Sequence, residues 1–182
     1  MQAAVPLNGK PYRHPMASKQ RFRNNVTRIL EGAGVAFNVL EYTWSEEVHS
    51  AVQVAQALEL PPARVFKTLV AAEQPDGAKL VCLIPGSAEL DLKAVARLAG
   101  VRKAAMVTRT EAQRWSGMEP GGISPVGLFR KRCRMFLDVS ALDHDRVVVS
   151  AGERGWQVCM ATCDLVDLLD PEITPLARAA PR

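Results

Sequence analysis

Three stretches of this sequence place chemically capable residues where structure alone does not demand them. Lys67 lies inside Val65-Phe66-Lys67-Thr68-Leu69-Val70-Ala71, a run of strand formers. On a period of two it shares a face with Val65, Leu69 and Ala71. Such a lysine either snorkels out along apolar surface or stands in a cleft as a cationic anchor for a phosphate or a polarised carbonyl. The second stretch is Gly121-Gly122-Ile123-Ser124-Pro125. Paired glycines let main chain approach a ligand and present amide donors with no Cβ in the way, though they equally suit a surface turn. Ser124 does not form a nucleophile elbow, because Val126 stands where Gly-x-Ser-x-Gly requires its second glycine. The third stretch, Ser150-Ala151-Gly152-Glu153-Arg154-Gly155, is a hairpin connection or a means of placing a hydroxyl and an arginine at one end of a sheet.

Arg130, Lys131, Arg132 and Arg134 crowd together just beyond the glycine pair. They form either a solvated charge run or a contact for a phosphate backbone, and the net charge of +4 permits a polyanionic partner. No zinc site is expected. Cys82 and Cys159 sit in apolar stretches as reduced cysteines do, no Cys-x-x-Cys pair occurs, and His14, His49 and His144 are scattered. With 48% hydrophobic and 23% charged residues, the 182-residue chain has the composition of one globular domain. It lacks an apolar run of membrane-spanning length and the apolar core of a secretory signal, so a cytoplasmic location is expected.

The elements that must position these residues follow from caps and periodicity. Residues 1–17, with several prolines, are expected to be a flexible leader before a domain spanning 18–178, and Met16 stands where order begins. Ser18 is the expected cap of a helix carrying Phe22, Val26, Leu30 and Ala33 on one face and ending at Gly32 or Gly34. A strand over 35–44 turns Phe37 and Val39 one way and Leu40, Tyr42 and Trp44 the other. Ser50 and Gln53 form a capping box for a short helix that Pro61-Pro62 stops. Strands over 65–72 and 79–84 make a hairpin across Gln74-Pro75-Asp76-Gly77. A helix over 91–99 ends at Gly100, and Thr110 with Gln113 opens another that stops at Gly117. Residues 119–126 read as a formed loop. Strands over 135–139, 147–150 and 156–160 precede a helix over 162–169 and a proline-punctuated tail. Strands joined by tight turns yet interspersed with helices predict an α/β (α+β) domain with a mixed sheet rather than a strictly parallel one.

The order and spacing of four segments resemble one family, the YbaK/EbsC-type aminoacyl-tRNA deacylases, which are similar to the editing insertion domain of prolyl-tRNA synthetase. The resemblance runs from about Val26 to Ala177. It is carried by Val65-Phe66-Lys67-Thr68-Leu69, Glu89-Leu90-Asp91-Leu92-Lys93, the Gly121-to-Pro125 loop, and the Ser150-to-Gly155 turn with Asp164-Leu165 beyond it. It implies a curved mixed sheet flanked by helices, in a single domain, with a cleft for the 3′ aminoacyl-adenosine of tRNA, Lys67 holding the terminal nucleotide and Gly121, Gly122 and Ser124 facing the scissile ester. Tyr42, Ser50, Thr68, Ile123, Pro125, Ser150, Gly152, Arg154 and Gln157 are the implied substrate-binding residues, and Arg130, Lys131, Arg132 and Arg134 the tRNA-backbone contacts. The reaction implied is ester hydrolysis of mischarged aminoacyl-tRNA such as Cys-tRNA(Pro), without metal or organic cofactor. The nucleophile comes from the substrate: water aided by the ribose 2′-hydroxyl, or a cysteinyl thiol that would release a thiolactone. The implied partners are aminoacyl-tRNA and a synthetase such as prolyl-tRNA synthetase, not membrane or DNA. The alternative is a non-catalytic module that binds tRNA or a synthetase on the same fold. Two positions depart from the cysteinyl-specific pattern, Ser50 in place of a phenylalanine and Gln157 in place of an acid, and Thr43 to His49 is also unlike it. The aminoacyl group therefore stays open.

Overall fold

In the computed structural model, residues 22–48, 50–75, 77–131 and 133–179 are described. The expected leader, Met16, Ser18, His14, His49, Asp76 and Arg132 lie outside the described residues.

Helix α1 (Asn25–Gly32) begins where Asn24, in extended conformation, accepts from the Thr27 N–H while Thr27 caps Asn24 in return. The helix therefore starts later than expected. Phe22 precedes it instead of lying on its face, and stacks on Trp156 at 4.3 Å. Val26 and Leu30 are buried as expected. Strand β1 (Phe37–Glu41) leads to α2 (Ala51–Ala57), whose Ser50–Gln53 capping box is the expected one. A 3-10 turn over Pro62–Arg64 then feeds β2 (Phe66–Glu73), which pairs antiparallel with β3 (Lys79–Pro85) as the expected hairpin.

Strand β4 (Ala88–Leu90) is followed by α3 (Leu92–Ala99), capped by Asp91 and ended by Gly100 at φ +73°. Strand β5 (Ala104–Met106) pairs with β2, and Val107 still donates to the Val70 carbonyl. The chain leaves the sheet only there, so the first residue free to cap α4 (Arg109–Ser116) is Thr108. This corrects the expected Thr110–Gln113 box by two residues. Helix α5 (Pro125–Leu128) occupies the end of the expected loop, capped by Ser124. Then come β6 (Arg134–Asp138), β7 (Arg146–Ser150), β8 (Trp156–Ala161), α6 (Thr162–Leu169), β9 (Glu172–Thr174) and β10 (Ala177–Ala179). The last two are short strands within the proline-punctuated tail, where none was expected.

The central sheet has the order β5-β2-β3-β6-β9, antiparallel on the β2 side and parallel from β3 through β6 to β9. An antiparallel sheet β1-β8-β7 meets it through the parallel bridge Val65–Val148, and β10 pairs with β4. The mixed, curved arrangement expected from the sequence is thus present, as hydrogen-bonded sections. Between the two larger sheets lies the main core, including Val70, Leu83, Leu137, Val149 and Met160 with α1, α5 and α6 packed in. The far face of the central sheet packs Cys82, Ile84 and Phe136 against α3. The far face of the small sheet packs Leu40, Val148 and Cys159 against α2.

Asp138 ties the tail to this frame. Its buried carboxylate accepts from the Leu176 and Ala177 N–H groups, each at 2.7 Å, and from Ser140. Burial pushes its pKa up, but these donors outweigh burial and hold it below the ordinary 3.8. A depressed carboxylate contributes stability above its unfolded value, lost as pH falls through the folded one. Asp138→Ala is expected to cost roughly 3 kcal/mol in urea unfolding at neutral pH, because it strands buried donors. Asp138→Asn should also flatten the stability loss seen in the wild type below about pH 4.

Candidate active site

The cleft is built on the α2-facing side of the small sheet. Register places Leu40, Gln157 and Ser150 in one row across β1, β8 and β7. The face that carries Leu40, Val148 and Cys159 carries this row by strand alternation. Above the row stands the first turn of α2, where the Ser50 hydroxyl accepts from the Gln53 N–H at 3.2 Å. The turn after β3 comes so close that a Cβ on Gly86 would lie 2.9 Å from that of Ala51 and 3.0 Å from the Val65 carbonyl. Only glycine fits there. The Gly86 carbonyl accepts from Lys67 Nζ at 3.3 Å, which aims the lysine at this junction. Because β2 and β7 run parallel from the Val65–Val148 bridge, two residues on from each side brings Lys67 abreast of Ser150. Tyr42, buried, closes the corner, with its N–H donating to the Gly155 carbonyl at 2.9 Å.

A wall of main chain flanks this corner. Gly121 has φ +89°, and a Cβ on Gly122 would stand 3.1 Å from the Arg154 nitrogen and 3.2 Å from the Glu153 carbonyl carbon. The glycine loop and the Ser150–Gly155 turn are therefore in direct backbone contact. Arg154 pins them together: Nε donates to the Pro120 carbonyl at 3.0 Å and the guanidinium pairs with Glu119 at 3.3 Å. Gly122 N–H donates to Glu119, whereas the Gly121 and Ile123 N–H groups make no hydrogen bond among the described residues. The turn is also held from below. Asn24, besides capping α1, donates to the Ala151 carbonyl at 2.7 Å, and Gly152 at φ +94° leaves 3.0 Å between a would-be Cβ and Val26.

Register and contacts gather Lys67, Ser150, Gln157, Ser50 and Tyr42 on the α2-facing side of the small sheet, and the Gly121–Gly122 backbone meets the turn that follows Ser150. The structure turns Ile123 and Pro125 side chains into buried surroundings, and the fully buried Ser124 hydroxyl faces its own helix, accepting from the Gly127 N–H at 3.4 Å. Ser150 Oγ likewise accepts from the Gly152 N–H at 3.2 Å. Thr68 alternates onto the main-core side with Phe66 and Val70, and its buried Oγ1 has no partner. His144 lies beyond the opposite end of β7 from Ser150. Among the described residues no group of three or more His, Cys, Asp or Glu side chains could hold a metal ion. None of their helices is long and apolar enough to cross a membrane.

The basic run lies elsewhere. Arg134 pairs with Leu80 and Lys67 with Ile84 on the same strand, a separation of roughly 13 Å along β3. Arg134 is engaged with Glu172 at 2.8 Å and the Leu98 carbonyl at 2.9 Å, whereas Arg130 and Lys131 lie over Phe129 and Trp115. Sequence reading missed Asn24, Gly86 and Trp44 as contributors. Asn24 three residues before Thr27 and the Pro85-Gly86 pair were legible signals for the first two.

Fold and cleft together define a class of small mixed α/β domain with two lengths of main chain in direct contact and one half-buried lysine. The chain belongs to the aminoacyl-tRNA editing domain family, whose model matches residues 45–168. It is 33% identical over 158 residues, 87% of this chain and 95% of the relative, to the Enterococcus faecalis (strain ATCC 700802 / V583) protein named "Putative Cys-tRNA(Pro)/Cys-tRNA(Cys) deacylase EbsC". It is 27% identical over 146 residues to proline–tRNA ligase of Dechloromonas aromatica (strain RCB), covering 79% of this chain and 25% of the ligase. A solved structure described as "Crystal structure of a putative trans-editing enzyme for prolyl tRNA synthetase" shares the fold, with a TM-score of 0.73 at 23% identity over 87% of this chain and all of that one.

Burial lowers the Lys67 pKa below its ordinary 10.5, and the negative charge of Glu89 partly offsets this. Lysine-selective NMR titration should find Lys67 losing its proton below 10.5, and Glu89→Gln should move that titration further down.

Proposed function

We propose that the chain is a free-standing editing enzyme that hydrolyses the ester of mischarged aminoacyl-tRNA, with residues 18–178 as the editing domain. The observation that carries this reading is the backbone contact of Gly122 with Glu153–Arg154 in the turn that follows Ser150. Among the described residues the Gly121 and Ile123 N–H groups of this loop make no hydrogen bond. Such amides stabilise the oxyanion that forms when an ester carbonyl is attacked. Lys67 holds the terminal nucleotide through the negative charge of its phosphate. Water, oriented by the substrate's own 2′-hydroxyl, adds to the carbonyl carbon. The bond to the ribose 3′-oxygen then breaks, and that oxygen takes the proton. The cleft hydroxyls of Ser50 and Ser150 already accept from neighbouring N–H groups, and Ser124 is buried against its own helix, which fits a reaction driven by placement and amide dipoles.

Arg130 and Lys131 meet phosphates of the acceptor arm, while Arg134 keeps its partner Glu172. A small aminoacyl group such as cysteinyl, alanyl or seryl suits a pocket where Gln157 is neutral and buried. The reaction belongs in the cytoplasm, where charged tRNA is made, and prolyl-tRNA synthetase is the matching partner.

Deacylation of cysteinyl-, alanyl- and seryl-tRNA tests this reading. At least one should turn over well above the buffer rate, and Lys67→Ala should lower kcat/KM about a hundredfold with the fold retained. If none turns over while tRNA binds tightly and in a salt-sensitive way, the chain is a binding module instead. Gly122→Ala should lower kcat about tenfold with thermal stability nearly kept, since its Cβ pushes the loop a few tenths of an ångström from the Arg154 backbone.

A further inference from the structure

Trp44 is one of the few large hydrophobic side chains left open to solvent, at 36% exposure, yet it is held in place. The Arg154 guanidinium lies over its ring at 4.6 Å from the centroid, in cation–π contact. That guanidinium is itself fixed by the Pro120 carbonyl and Glu119. Two residues upstream, the Tyr42 N–H is bonded to the Gly155 carbonyl, so the segment bearing the indole is anchored to the same turn. Arg154 Nε stands 3.9 Å from the position of a Cβ on Gly121. The indole is therefore one guanidinium away from the amide wall.

We propose that Trp44 seats the purine base of the substrate's 3′-terminal nucleoside, which stacks on the indole while Arg154 fixes that stack relative to Gly121–Gly122. The assignment rests on the editing reading of the cleft and adds the contact that orients the nucleoside. Stacking needs a flat π-surface, which a small aminoacyl group lacks and an adenine supplies. A rigid, solvent-open indole offers such a surface without the entropy loss of ordering a mobile side chain. Ribose then spans from the stacked base to the ester facing the loop.

Calorimetric titration with two non-hydrolysable amides tests this: a 3′-aminoacylamino-adenosine, and the same aminoacylamino-ribose without its base. The wild type should bind the adenosine compound ten- to a hundredfold more tightly. Trp44→Ala should abolish that gap while leaving the affinity for the base-free compound unchanged, and Trp44→Phe should restore most of it. Equal binding of both compounds by the wild type overturns the proposal, as does a gap that survives in Trp44→Ala. Equal weakening of both compounds in Trp44→Ala also overturns it, because the indole would then merely support Arg154. Wild-type protein that binds neither compound counts against the editing reading itself, and Trp44 falls with it.

Discussion

The site depends on two lengths of main chain meeting with no side chain between them. Gly122 lies against the Glu153–Arg154 peptide at a distance that a methyl group would already crowd. Everything around it preserves that approach. Arg154 reaches back to Pro120 and Glu119, Asn24 holds Ala151 from the side of α1, and Val26 fills the space that Gly152 leaves. A close approach of this kind cannot be held by apolar packing alone, because the contact surface is polar backbone. It needs hydrogen bonds from outside, and each comes from a different element.

The second close approach, Gly86 against Ala51 and Val65, does the same for the opposite side of the cleft. It sets the start of α2 over the small sheet and gives Lys67 a carbonyl to lean on. The lysine keeps its place through a single hydrogen bond and partial burial. Its charge is therefore less hydrated than that of a surface lysine and interacts more strongly with a nearby anion.

Local chemistry made much of this legible from sequence. The Ser50–Gln53 box, the Gly100 and Gly117 stops and the β2–β3 hairpin follow from residues a few positions apart, and the structure has them where expected. Misreadings arose where distant pairing decides. Val107 stays in the sheet because Val70 is there, so the cap of α4 falls on Thr108. Strands β9 and β10 pair with β6 and β4, and Asp138 captures Leu176 and Ala177 from the same segment, contacts that no short window contains. The same holds for the site. Lys67 and the glycine pair were conspicuous by residue type. Arg154 was expected as a ligand contact, and the structure gives it a further part, holding Pro120, Glu119 and Trp44. Trp44 is expected at the end of a strand face with Leu40 and Tyr42, but β1 ends at Glu41 and the indole stands open to solvent.

The bond from Asn24 to Ala151 joins residues 127 positions apart. It closes the cleft with an element made before Lys67 and a turn made after the glycine pair. A chain still being extended on the ribosome has Lys67 and the glycine pair before it has the turn that completes the wall. Until Gly155 has emerged and the β7–β8 hairpin can close, the nascent protein has no finished cleft, so the site is unusable until that turn is in place.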